Sequence, residues 1–233
     1  MSEIVVGKVS GIRRYPVKSM LGEALEVVAL DQRGVVGDRL YALVDQETGK
    51  VVSVKRPRRW GRMFELAGIT LDDGRAAVSF PDGETVAVGD SKLPIRLGEF
   101  FGRAVSVADT PPADARFDEI WVRELKGGAE PYFGMESRVE DDEEMIDGGA
   151  FMGPQGNFFN FGAVHLVTTV PRCVMTTLPQ GDLPADRDVL RTIAETNSID
   201  VLQTGTPYPC VGVYADVLAE GEIRRGDPVR LIE

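Results

Sequence analysis

The apolar residues of this chain come in short bursts, each cut off by Gly, Pro or Asp before a helix could complete several turns, and this constrains the fold more than any other feature. "VVGKVSGIRRYPV", "ALEVVAL", "RLYALVD", "GKVVSV", "AAVSF", "ETVAV" and "LPIRL" follow one another through residue 97. Runs of this length, rich in β-branched residues, predict strands. "DQETGK" (45–50) and "PDGE" (81–84) predict hairpin turns, because Gly accepts the positive φ that such turns demand. The first hundred or so residues are therefore expected to be mostly antiparallel β, with one short helical turn in "GEFFGRAVSV" before a further strand.

Residues 109–157 change character. "DTPPADARFDE" is rich in Pro and Asp, and "VEDDEEMIDGGAFMGPQGN" gathers carboxylates with Gly and Pro. A like-charged block of this kind predicts a solvated connecting loop. It lacks the ligand spacing of a calcium loop. Beyond it, "GAVHLVTTV" predicts a strand and "PADRDVLRTIAETN" a helix with Leu190, Ile193 and Ala194 on one face. "CVGVYADVL" and "EGEIRRGDPVRLIE" predict closing strands, with "GDPV" (226–229) as a tight turn that lets Pro228 begin the last one. The expected fold class is α+β, β-dominated and barrel-like, with few short helices. The expected division is 1–108, a connecting loop 109–157, and 158–233.

Charge and cysteine content bound the function. With Lys+Arg 26 against Asp+Glu 37 the net charge is −11, so the overall field repels nucleic acid and anionic membrane surfaces. An anionic ligand must find a local basic pocket. Two cysteines, no apolar run near twenty residues and no charged-then-apolar leader predict a soluble protein of a reducing compartment, the cytoplasm, without a disulfide framework.

Candidate site residues sit at the ends of predicted strands. "RRYPVKSM" sets Lys18 and Ser19 just after a Pro-broken strand, where a cation and a hydroxyl can project toward a phosphate. "GVVGDRLYALVD" adds Arg39, with Asp38 beside it to hold its guanidinium. "VKRPRRWGR" (54–62) carries five cations and reads either as a cofactor rim or as a solvated edge. In "VPRCVMTTLP" Arg172 flanks Cys173, and a neighbouring guanidinium lowers a thiol pKa toward the thiolate that serves as nucleophile or metal ligand. Cys210, in "PYPCVGVY", reads instead as a core residue. His165 is the only histidine, and one histidine cannot build a metal site, so it reads as an ordinary packed residue.

Taken together, "YPVKS", "GDR", "KRPRRW", "RCVMTT" and "GVYADVLAEGEIRRGDPVRL" resemble the MOSC family, the molybdenum cofactor sulfurase C-terminal domain proteins, with their N-terminal β-barrel companion. The resemblance covers roughly residues 4–108 and 158–233. It implies a MOSC-type β-barrel joined to an N-terminal MOSC-associated β-barrel domain. In relatives that reduce N-hydroxylated compounds, the amidoxime-reducing component and its bacterial counterparts, it implies Cys173 as the protein thiolate on molybdenum. Lys18, Ser19, Arg39 and Arg172 match positions that hold the molybdenum cofactor (molybdopterin). A soft thiolate suits such a sulfur-ligated metal. The implied partners are a small-molecule substrate and a separate flavin or iron–sulfur electron donor protein, with no intrinsic pyridoxal phosphate domain.

One departure stands out. Only Val170 and Pro171 separate the strand resembling "FGAVHLVTT" from Arg172–Cys173, where the family has a long stretch, and no "RPN" occurs. Three readings stay open: an oxidoreductase, a module that carries cofactor or sulfur, and an inactive shortened relative. Missing wall strands also predict an open edge, and with it a homodimer or a loosely packed monomer.

Overall fold

The computed structural model describes residues 3–111, 115–120, 137–140, 142–148, 158, 168–171, 177–186, 188–200, 207–215 and 217–232. The first half runs β1 (Glu3–Lys8), β2 (Ile12–Arg14), β3 (Glu23–Leu25), β4 (Val27–Asp31), β5 (Gly34–Val35) and β6 (Ala42–Asp45). Helix α1 (Pro57–Trp60) and a 3-10 turn follow, then β7 (Ala67–Thr70), β8 (Ala76–Ser79), β9 (Thr85–Ala87), α2 (Lys92–Phe101) and β10 (Val105–Ala108). The second half contributes β11 (Phe117–Ile120), β12 (Ser137–Glu140), β13 (Glu143–Gly148), β14 (Thr168–Pro171), α3 (Asp188–Thr196), β15 (Ser198–Ile199), β16 (Tyr208–Tyr214), β17 (Gly221–Arg224) and β18 (Pro228–Ile232). The architecture is α+β and β-dominated, as the patterning predicts.

The described strands pair antiparallel in small sheets: β2 with β3, β6 with β10, β7–β8–β9, β11–β13–β12 and β14–β16–β15. The last two strands return to the first ones. β17 pairs with β4 and β18 with β1. The main core lies under β6–β10, where Val17, Met20, Leu43, Trp60, Leu93 and Leu97 are buried together. Both predicted hairpin turns are present, with Gly49 and Gly83 at φ 68° and 89°. The turn at Gly226 delivers Pro228 as the first residue of β18, where its missing N–H removes no interior ladder bond.

Three expectations are corrected. "LPIRL" is not a strand, and the helical turn expected after it is part of a helix that starts earlier: both fall within α2. Alternation would place Leu93, Ile95 and Leu97 on one face, but the helix buries Leu93 and Leu97 in the core and turns Ile95 out to solvent. Pro94 falls in the first turn, where its missing N–H would have had no intrahelical partner, and Gly102 ends the helix in the left-handed conformation. "GKVVSV" forms only an isolated bridge, Val51 with Val44. Its backbone bonds go to different neighbours, Val51 N–H to the Arg116 carbonyl and Val52 N–H to that of Leu43, so no ladder develops. Finally, part of the acidic stretch expected as loop is a strand pair: β12 and β13 face each other from Ser137↔Ile146 to Glu140↔Glu143, with Met145 buried. Arginines from elsewhere in the chain offset its charge, as shown below.

Helix α3 appears where its periodicity predicts, with Leu190 as its buried anchor. No helix among the described residues is long and apolar enough to cross a membrane.

Candidate functional site

Two segments distant in sequence run side by side at the end of the N-terminal core. Arg39 N–H donates to the Tyr15 carbonyl (2.7 Å), Tyr41 N–H to that of Pro16 (3.1 Å) and Lys18 N–H to that of Tyr41 (2.8 Å). This short parallel pairing, centred on Val17 and Tyr41, sets Lys18–Ser19 on the segment next to Arg39. Both Ser19 and Arg39 hold positive φ, 66° and 50°. Left-handed backbone costs a non-glycine residue on the order of 1–2 kcal/mol, and such strain collects where a side chain must be aimed. The surroundings over-determine it. Asp38 accepts the Tyr15 N–H (2.7 Å) and pairs with the Arg39 guanidinium, which also lies 5.3 Å from the Tyr15 ring centroid. The Ser19 hydroxyl accepts the Val54 N–H at 3.5 Å.

A second constellation adjoins through Lys18. Its ammonium lies 5.4 Å from the centroid of the Phe117 ring, and that of Lys55 lies 5.0 Å from the same centroid. Cations at this range are attracted by the ring quadrupole. Successive residues then face opposite ways: Lys55 goes to Phe117, whereas Arg56 goes to Asp118 (3.1 Å) and Glu140 (3.2 Å). Arg56 is 1% exposed and is the largest fully buried side chain described. Its backbone caps α1, accepting from Arg59 and Trp60 N–H. Asp118 also accepts from Lys50 (2.7 Å) and Arg138, while Arg59 reaches Glu140 (3.3 Å). Burial pushes the Asp118 carboxyl up, but the bonds from Lys50 and Arg138 outweigh it and hold the group below the usual carboxylate range. Beside this network, a cavity of about 10 Å³ lined by Asp45, Lys50, Arg59, Trp60 and Asp118 has room for no more than a water molecule.

The sequence missed this network. "VKRPRRWGR" is not a solvated edge at Lys55 and Arg56, because both are buried. Pro57 at the first helical position signals the turn. Nothing local signals Asp118, which stands 62 residues from Arg56.

Arg172, Cys173 and His165 lie outside the described residues. The chain enters that stretch from Pro171, the last residue of β14, which pairs with Cys210 on β16. Cys210 is fully buried, as expected, and Asn197 binds its backbone on both sides. Among the described residues no three His, Cys, Asp or Glu side chains gather as a metal-ligand set. An open groove of about 440 Å³, bordered by Arg13, Leu25, Glu26 and Arg225, contains none of Lys18, Ser19 and Arg39.

Residues 6–106 match the family model of the MOSC N-terminal beta barrel domain. This segment contains Lys18, Ser19, Arg39, Lys55 and Arg56. No curated protein matches the chain.

Proposed function

We propose that this chain, whose residues 6–106 match the family model of the MOSC N-terminal beta barrel domain, binds the molybdenum cofactor and acts as an oxidoreductase. The observation that carries the reading is the juxtaposition of Lys18 and Ser19 with Arg39, the two latter in left-handed backbone. An ammonium, a hydroxyl and a guanidinium are the donors an anionic phosphate requires, since charge-assisted bonds of this type contribute roughly twice what neutral ones do. Their setting fits the anionic end of such a cofactor in a protein of net charge −11. Lys18 and Arg39 would bind the phosphate and fix its orientation, Ser19 would donate its hydroxyl proton to an oxygen, and Asp38 keeps the Arg39 fork aimed. Arg172 would stabilise the Cys173 thiolate, and Cys173 would be the protein ligand to the metal. When bound, the cofactor would supply two-electron redox chemistry, here for N-hydroxylated or N-oxide small molecules, with electrons from a separate flavin or iron–sulfur protein.

Metal analysis after expression in a host that makes the cofactor tests this. The expected result is molybdenum near one per chain, lost in Cys173→Ser and retained in Cys210→Ser, which instead lowers the melting temperature because a buried thiol is replaced by a hydroxyl. A wild-type protein free of molybdenum would leave an inactive shortened relative. Metal retained in Cys173→Ser would remove the thiolate assignment.

A further inference from the structure

The ribbon formed by β1 and β18 is exposed along its whole length, although much of it is apolar. On β1, Ile4, Val5 and Val6 are 49%, 62% and 53% exposed. On β18, Val229, Leu231 and Ile232 are exposed as well. Cross-strand partners share a face, so the pairs Ile4↔Leu231 and Gly7↔Val229 make one face apolar. The other face carries Val5 and Ile232 with the Glu3–Arg230 ion pair (2.9 Å). Among the described residues β1 pairs only with β18, and a Cβ built on Gly7 would meet nothing within 4 Å. A long apolar edge of this kind is a template for another strand, and two strands alone are marginally stable in water.

Charge placement selects the partner. β1 reads Glu-Ile-Val-Val-Gly-Lys, opposite charges at its two ends and β-branched residues between. Paired antiparallel with a second β1 about the midpoint of Val5 and Val6, it sets Glu3 opposite the other copy's Lys8 twice, and Val5 opposite Val6 twice. The β18 edge is less suited: Arg230 at its centre would face its own copy, and Pro228 donates no backbone bond. We propose that β1 is a self-complementary edge through which two copies of this chain join, turning two ribbons into one four-stranded sheet. Association is concentration-dependent and weak, because a strand edge buries less than a standard interface. The irregularity between Val5 and Gly7 is the feature that works against it, since a bulge twists an edge away from partners.

Equilibrium sedimentation with charge variants of the full chain tests this. Lys8→Glu gives a β1 with two acids, and Glu3→Lys one with two bases. Each alone raises the dimer dissociation constant by about tenfold or more, since two attractive cross-strand pairs become repulsive. Mixed in equal amounts, the two variants are complementary again and form a heterodimer with close to wild-type affinity. Both positions are exposed, and thermal unfolding verifies that each variant is folded. A wild-type monomer at all concentrations would overturn the proposal. So would a dimer indifferent to the variants, or a mixture that stays monomeric. None of these outcomes depends on cofactor content, so failure here leaves the proposed function standing.

Discussion

At the residue scale, the group that organises most of its surroundings is Asp118, which no local pattern marks. It accepts from Lys50, Arg56 and Arg138, while Phe117 beside it touches Lys18 and Lys55. Removing one acceptor from a buried ion network is costly, so Asp118→Asn is expected to lose about 3 kcal/mol near neutral pH. The pH dependence has a definite sign. A carboxyl held below its usual range contributes stability that is present above its unfolded-state pKa, near 3.9, and is lost as pH falls through the folded value. The gap between wild type and variant should therefore be widest at pH 6–7 and narrow progressively as pH falls below about 4. A gap of constant size down to pH 3 would make Asp118 a packing residue rather than an ionic one. Lys18, Ser19 and Arg39 were legible because each adjoins a strand end with its own local signal, Pro16 in one case and Gly37–Asp38 in the other. Lys55 and Arg56 were legible only as charge. Their burial depends on acceptors supplied by β11 and β12, and long-range pairing leaves no trace in a local window.

At the scale of elements, what sequence patterning resolved was turns and the shortest strands, because Gly and Pro mark them chemically. It failed where two periodicities fit the same residues. "LPIRL" satisfies a strand by alternation and a helix by the spacing of Leu93 and Leu97, and the core decides: Phe100 and Phe101 continue the helical stripe onto Trp60 and Phe80. The end of that helix offers a clean test. Gly102 has φ 63° and accepts its stop by donating to the Gly98 carbonyl, and a Cβ there would meet nothing within 4 Å. Gly102→Ala thus adds no clash and isolates the backbone term, an expected loss of about 1 kcal/mol, or roughly 2–4 °C in melting temperature. A neutral or stabilising result would mean that the helix ends without the left-handed turn. The acidic strands β12 and β13 failed for a different reason. Their carboxylates read as a solvated block until the fold brings Arg56 and Arg59 against Glu140, while Arg138 of β12 itself pairs with Asp118.

At the scale of the whole molecule, the N-terminal family match ends at residue 106, but the structure it describes does not close there. β4, whose Val28 is buried, lies between β5 and β17, and β17 comes from residues 221–224. Glu222, Ile223 and Arg224 pair with Ala29, Val28 and Val27, and the Arg225 N–H donates to the Glu26 carbonyl. The exposed ion pairs that accompany this, Arg225–Glu26 and Arg230–Glu3, contribute little in water. The ladder itself carries the coupling, at about 1 kcal/mol net per backbone bond. A chain ending at Glu220 should therefore lose stability within the N-terminal sheet, far from the cut in sequence. Hydrogen exchange reads this directly: protection of the Val27–Asp31 amides is expected to fall by about 30-fold or more, equivalent to ~2 kcal/mol, while the β7–β8–β9 amides, which touch neither closing strand, keep theirs. Unchanged protection in β4 would show that the closing strands rest on the N-terminal sheet without stabilising it. A uniform loss across β4 and β7–β9 would show that the N-terminal half unfolds as a single unit, whose stability is set by residues beyond the matched segment.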